Sequence, residues 1–412
     1  MAGLFSDLKV LDIATYIAGP AATTMLSDFG ADVIKIEVPG MGDPYRELFK
    51  IQPSPESSKN YMWQLTNRNK RSMTLNLKSP RGQEILRKLV GWADVLVVNY
   101  PPRVRERLKL TYEEVSAINP RMIYADITGY GNAGPDANEP GFDITAYWAR
   151  TGLMDQTRNA GCPPAMPVFG MGDHATATTL YASILTGLYR REKTGQGCRV
   201  SSALVSVGTW AAATWVEGAL VGAKFSGNVN RQHPPNALLN TYETADGRWF
   251  LLVAEPEARW APLLKAIGHP EWATDERFSQ ESRRMAHADV LTQQLQEVFA
   301  TQSFDFWRAA LDQARIPLSL IQTIEENAHD PQLLANHFLV PIDDGSQTPN
   351  LTVDSPVYLE QEAKVRPRPA PDLGQHTHEI LKELAYDEKA IEALRASGVI
   401  GVGDRPSLAS KR

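Results

Sequence analysis

The chain has 412 residues, 43% apolar and 22% charged, with a net charge of −6. That length allows two domains and a large core, and the acidic balance argues against general nucleic-acid binding. Cys162 and Cys198 are the only cysteines and stand far apart, giving neither a disulfide framework nor a zinc site, and the N-terminus lacks the basic and apolar regions of a signal peptide, so a cytoplasmic enzyme is expected.

In chain order, Lys9 to Ile13 (KVLDI) reads as a short apolar strand, YIAGP as a turn, and AATTMLSDFG as a helix stopped by Gly30. DVIKIE (32–37) is a second strand. Ile85, Leu86, Leu89 and Val90 recur at helical spacing over 80–91. DVLVV (94–98) and MIYADI (122–127) are a third and fourth strand. Short apolar strands separated by helices imply a parallel sheet covered on both faces. The expected fold is therefore α/β, with a Rossmann-like, doubly wound large domain whose ligands bind beyond the carboxyl ends of the strands. The first strand–helix turn, IAGPAA, has no G-x-G-x-x-G, and no Walker A sequence occurs. NAD or ATP is not the default ligand.

The pattern is helical from about 145 to 205, where the first part of the large domain (1–205) ends. GTWAAATWVEGALVGA (208–223) is too short and too interrupted by Glu217 to span a membrane. It reads as a buried helix, with 206–225 as a linker. NTYETADGRWFLLVA reads as a hairpin around Ala-Asp-Gly. A smaller α+β domain is expected over 226–324, and 325–412 as a linker and a return to the large domain. No G-x-S-x-G or H-E-x-x-H motif occurs. His376 and His378 lie at a helix start rather than on a strand, so no metal site is expected.

The stretch FGMGDHATATTLYASILTGLYRREKTGQG (169–197) holds one acidic residue at the head of a helical pattern, Asp173. Read alone, Asp173 is a helix N-cap. Three points favour chemistry. Gly170 and Gly172 clear side chains from its surroundings, a helix N-terminus stabilises a nearby anion, and a carboxylate serves as a covalent nucleophile when an acyl group is held against it.

The chain resembles the family III CoA-transferases, the group containing formyl-CoA transferase and carnitine CoA-transferase, from about residue 5 to 400. The segments that carry the resemblance are LKVLDIATYIAGPAATTMLSDFGADVIKIEVPGMGDPYR, NRNKRSMTLNLKSPRG, ADVLVVNYPP, GYGNAGP, GMGDHATATTLYASILTGLYRREKTGQG, TADGRWF and LGQHTHEIL. The resemblance implies that Asp173 is the nucleophile of a ping-pong cycle through an aspartyl anhydride and an aspartyl-CoA thioester, with N–H donors from the glycine-rich backbone. Coenzyme A enters as a substrate, and no tightly bound cofactor is implied. Tyr16, Ile17 and Ala18 match residues at the nucleotide end. Leu75 and Lys78 match residues around the adenine and phosphates. Asn99, Tyr100 and Pro101 end the third strand, Arg107 matches a phosphate-binding arginine, and Phe142 and Asp143 lie near the pantetheine. Formyl-CoA transferase has an arginine after the KIE strand where Val38 stands here, so that phosphate contact is either missing or supplied elsewhere, with Arg46 and Arg71 as candidates.

The similar α-methylacyl-CoA racemases use a histidine in a G-H-D segment. Phe142 occupies that position and cannot take a proton, so transfer is expected over epimerisation. An intramolecular CoA shift within one dicarboxylate would use the same Asp173 chemistry and stays open. A silent CoA-binding protein is the third reading, and loss of Asp173 would have been its sign. The formyl-CoA transferase tetraglycine lid is absent, which discounts formate–oxalate exchange. Arg231 and His233 could pair with a second carboxylate or cap their loop. A succinyl-CoA donor, a small dicarboxylate-like acceptor and an interlocked homodimer are expected from the resemblance.

Overall fold

In the computed structural model, residues 3–225, 227–255, 257–347 and 350–401 are described. Residue 226, where the expected small domain begins, residue 256 within it, and the part of the expected return segment from 402 to 412 lie outside the described residues. The chain divides into two compact units, one of Met1–Met154, Met166–Gly222 and Pro331–Arg412, the other of Asp155–Ala165 and Ala223–Asp330.

The first unit is built on β1 (Lys9–Asp12), β2 (Asp32–Glu37), β3 (Arg71–Thr74), β4 (Val95–Val98), β5 (Ile123–Thr128) and β6 (Cys198–Ala203). They pair in parallel in the order β3-β2-β1-β4-β5-β6, the order of a doubly wound sheet with a switch point between β1 and β4. Alternating side chains feed two cores. Leu11, Ile34 and Leu96 pack with Ile85 and Leu89 of helix Pro80–Trp92. Val10, Val33 and Val95 face the other way, onto Ala22 and Leu26 of helix Ala18–Asp28 and Leu180 and Ile184 of helix Met171–Thr194. The strand expectations hold for β1, β2, β4 and β5. The edge strands β3 (RSMT) and β6 (CRVSSA) fall in stretches without an apolar run, because an edge strand needs less apolar surface than a central one.

The expectation of a buried helix over 208–223 is corrected. Two helices, Leu204–Ala211 and Ala213–Leu220, cover this region, and Trp210, Leu220 and Val221 are largely exposed on the single chain. Among the described residues, no helix is long and apolar enough to cross a membrane.

Beneath the carboxyl ends of β1 and β2 lies a buried network of charges. Lys70 Nζ donates to Asp12 at 2.8 Å, and Lys35 lies 3.7 Å from Asp12 and 2.9 Å from Asp43. All of these side chains are buried. Burial pushes the Asp12 carboxyl up, but the ammoniums of Lys35 and Lys70 outweigh it and hold it below the ordinary carboxylate value. Lys70 is pulled down to about 8 by burial, with Lys35 adding to the effect and Asp12 opposing it. Arg46 makes a two-pronged contact with Glu37, at 2.7 Å on each prong.

The second unit carries an antiparallel sheet of β7 (Leu239–Glu243), β8 (Trp249–Val253) and β9 (Leu318–Leu320) in sequence order. β7 and β8 are the expected hairpin. The core of this unit is aromatic, with Phe250 edge-on to Phe299 at 5.0 Å and Tyr242 5.1 Å from the same ring.

Candidate active site

A cavity of about 740 Å³ lies at the carboxyl ends of β1, β4 and β5, at the switch point of the sheet. Its floor begins in the turn after β1. Tyr16 sits there with φ of 63°, a left-handed conformation that a bulky side chain adopts only when its surroundings enforce it. The enforcement is visible. The Thr15 N–H donates to Asn99 Oδ1 at 2.9 Å and Asn99 Nδ2 donates to the Thr15 carbonyl at 2.7 Å. The Tyr16 N–H donates to Asp43 Oδ1 at 3.1 Å, which connects the turn to the buried charge network. Tyr16 and Phe142 meet edge to face at 6.2 Å on the cavity wall.

Asp173 also lines this cavity, from the first turn of helix Met171–Thr194. The reading of Asp173 as a cap is corrected. The capping position belongs to Gly170, whose φ is 86°, and the capping carboxylate comes from another segment. Asp143 accepts the N–H of Gly170 at 2.6 Å and that of Gly172 at 2.9 Å. Of the four amides that a first helical turn leaves without intrahelical partners, two are thus taken. They are not open donors for an oxyanion, contrary to the expectation for this glycine-rich stretch. Asp173 is relieved of capping. Only burial and the neighbouring Asp143 charge act on its carboxyl, and together they push it up to about 7. Burial likewise raises Asp143, with the two glycine amides opposing.

The close fit makes Gly172 a sharp test. A Cβ there would lie 2.2 Å from Tyr147 Cγ and 2.3 Å from Asp143 Oδ1. Gly172→Ala must displace either the ring or the cap, at about 1–3 kcal/mol. We expect a lowered melting temperature together with at least a tenfold loss of activity, measured by thermal unfolding and steady-state assay.

The structure brings Tyr16, Ile17, Ala18, Asn99, Tyr100, Pro101, Phe142, Asp143 and Asp173 to one cavity. Leu75 and Lys78 line a second cavity of about 300 Å³, which shares Thr15 and Tyr100 with the first and has Val38 in its wall. The remaining expected residues lie elsewhere. Arg46 is held by Glu37 and stacks over Trp63 at 3.8 Å. Arg71 binds Asp32, Glu379 and Glu383 at 2.7–2.9 Å. Neither lines either cavity, so the expectation that one of them replaces the arginine missing at Val38 is not supported. Arg107 is exposed on helix Pro102–Leu108. In the second unit, the Arg231 guanidinium donates to the Thr241 carbonyl at 3.1 Å, contacts Gln296 and lies over Trp249. His233 is exposed, and its N–H donates to the Asn230 carbonyl at 3.0 Å. His376 and His378 face different partners, the Ser72 N–H and Glu388.

Sequence reasoning passed over two lining residues. His174 follows Asp173, and burial, aided by Arg68, lowers its pKa, which favours a neutral imidazole. Tyr45 is buried near enough for the Asp173 charge to add to the burial that raises its phenol. Its only sequence signal was its place in the quoted segment GDPYR.

The family model described as CoA-transferase family III matches residues 5–377. The chain is 34% identical over 399 residues to (R)-2-hydroxy-4-methylpentanoate CoA-transferase of Clostridioides difficile, covering 96% of this chain and 99% of that protein. It is 33% identical over 399 residues to succinyl-CoA:glutarate CoA-transferase of Mus musculus, covering 95% and 89% respectively. The crystal structure of a CaiB/BaiF family protein from Brucella suis matches with a TM-score of 0.83 at 29% identity, covering 93% of this chain and 100% of that one.

Proposed function

The chain belongs to CoA-transferase family III and is a CoA-transferase, and we propose that it moves CoA between acids through a covalent cycle on Asp173. The observation that carries this reading is a carboxylate on the wall of the large cavity that neither caps its helix nor pairs with a cation there. A carboxylate so weakly solvated is a stronger nucleophile than one in water.

In the first step an Asp173 oxygen attacks the donor thioester carbon, the C–S bond breaks, and CoA leaves as the thiolate. The thiolate then attacks the Asp173 acyl carbon of the mixed anhydride. The donor acid departs as a carboxylate and an aspartyl-CoA thioester remains. The acceptor carboxylate attacks that thioester, expelling the thiolate and forming a second anhydride. Attack of the thiolate on the acceptor's acyl carbon releases the new acyl-CoA and restores Asp173. Every step exchanges one acyl bond for another of similar energy, without oxidation or reduction. CoA is a substrate throughout.

The test is a brief reaction with an acyl-CoA, a hydroxylamine quench, and mass mapping of the peptide containing Asp173. A hydroxamate at Asp173, absent from Asp173→Ala, is the expected result. Turnover with an unmodified Asp173 peptide overturns the covalent reading. Run in deuterated water, the same reaction reports on the alternative, since deuterium at the α-carbon of recovered acyl-CoA without labelling of Asp173 would indicate epimerase chemistry despite Phe142.

The relatives' names span a branched hydroxy acid and glutarate. The expected succinyl-CoA donor and dicarboxylate acceptor have the support of the mouse relative's name. Arg231, whose guanidinium is already engaged within its own unit, adds nothing to it. The resemblance also implies an interlocked homodimer. The exposed Trp210, Leu220 and Val221 support self-association, because apolar side chains of this size are seldom left in water together. Sedimentation at micromolar concentration is expected to give twice the chain mass, and a monomer there overturns the dimer.

A further inference from the structure

The cavity around Asp173 has a marked chemical bias. Among the described residues, its lining includes three carboxyl side chains, Glu139, Asp143 and Asp173, and no lysine or arginine. The segment from 45 to 65 supplies an apolar wall through Tyr45, Leu48, Ile51, Met62 and Leu65. Met62 and Leu65 stand three residues apart on helix Tyr61–Asn67 and so share a face. Lys78 lines the second, 300 Å³ cavity rather than this one. The charge-bearing and apolar demands of an acyl-CoA are thus divided between two spaces that share Thr15 and Tyr100 in their walls.

We propose that the acid exchanged at Asp173 is a monocarboxylic acid with an apolar, branched or aromatic side chain, packed against Tyr45, Leu48, Met62 and Leu65. This inference rests on the transferase reading above, and it runs against the dicarboxylate expected from the resemblance. The physical reason is direct. A second carboxylate brought into this cavity loses its water, finds no cation on the lining and meets three acidic side chains. An apolar side chain gains by leaving water for the same wall.

The experiment compares acyl-CoA donors of the two classes on the full chain: 4-methylpentanoyl-CoA and 3-phenylpropionyl-CoA against succinyl-CoA and glutaryl-CoA. Each is read by kcat/KM and by the hydroxamate trapped on Asp173. The expected result is a preference of roughly 100-fold or more for the apolar donors. Equal or better use of the dicarboxylyl donors overturns the inference, as does a failure of every apolar donor to turn over. Either result leaves the covalent reading intact as long as some donor labels Asp173. Turnover of apolar donors without that label sinks the covalent reading alone. Met62→Arg places a cation on the wall at a half-buried position. It is expected to raise use of glutaryl-CoA by about tenfold and to lower that of 4-methylpentanoyl-CoA, with thermal unfolding confirming that the variant folds. If Met62→Arg does not fold, the comparison of the four donors on the parent chain decides the matter.

Discussion

Asp173→Asn is expected to lower kcat for CoA transfer by roughly 10⁴-fold or more while leaving the affinity for acyl-CoA within about threefold of the parent. The substitution keeps the shape of the side chain and removes its ability to form an anhydride. An amide oxygen is a poor acyl acceptor, and the neighbouring carboxyl of Asp143 is not free to replace it, since it is held by the Gly170 and Gly172 amides. Binding should survive because the residues expected to meet CoA belong to other segments, the turn of Tyr16–Ala18 and the end of β4 at Asn99–Pro101. Calorimetric titration with a non-reactive acyl-CoA analogue separates the two quantities. A variant that keeps a tenth of the parent kcat removes Asp173 from the chemistry. A variant that loses binding instead assigns it to the substrate pocket. Asp173→Ala, lacking the amide, is expected to behave in the same way and guards against slow deamidation of Asn back to Asp.

The sheet was legible where burial on both faces forced continuous apolar runs, as in Val95–Val98 and residues 123–125. It was illegible at β3 and β6, whose sequences are at least half polar. The charged residues within strands were the harder case. Asp12, Lys35 and Glu37 read as ordinary strand positions, yet all are buried and hold the two loops that frame the cavity. Their meaning depends on Asp43, Arg46 and Lys70, which approach from distant parts of the chain, and no local pattern reports such a meeting. Asp173 shows the same limit from the other side. Its type and its place before a helical pattern could be read, and together they gave the wrong local role. The decisive fact was that Asp143, about one helix length earlier in sequence, had taken the cap. Likewise Arg46 and Arg71 carry the charge that a phosphate would need, but their commitment to Glu37 and to Asp32, Glu379 and Glu383 could be seen only in three dimensions.

The second large effect follows from the environment of Asp173 and concerns pH. The nucleophile is the ionised carboxylate, and burial with the Asp143 charge moves its pKa up to about 7. The kcat/KM of the parent, which reports groups of the free enzyme, is therefore expected to fall tenfold per pH unit below about 7. Asp143→Asn removes the neighbouring charge and leaves the burial, which is the larger cause. Its acidic limb should move to lower pH without reaching the ordinary carboxylate range. A merely structural role for Asp143 would lower the plateau and leave the limb in place. The same shift has a consequence for stability. Below about pH 4 both folded and unfolded chains hold the Asp173 proton. Between about 4 and 7 the folded chain keeps a proton that the unfolded chain releases, so stability falls as pH rises through that window, and the loss is complete above it. Asp173→Asn carries no such penalty. It should melt about 2–4 °C above the parent at pH 8 and nearly level with it at pH 4, the side chain's partial access to the cavity holding the effect to about 1–2 kcal/mol. A variant that is catalytically dead, more stable in alkali and unaffected in acid would tie the activity to an anion that the fold holds at its own expense. Equal melting curves at both pH values would mean that the carboxyl is already solvated before any substrate arrives.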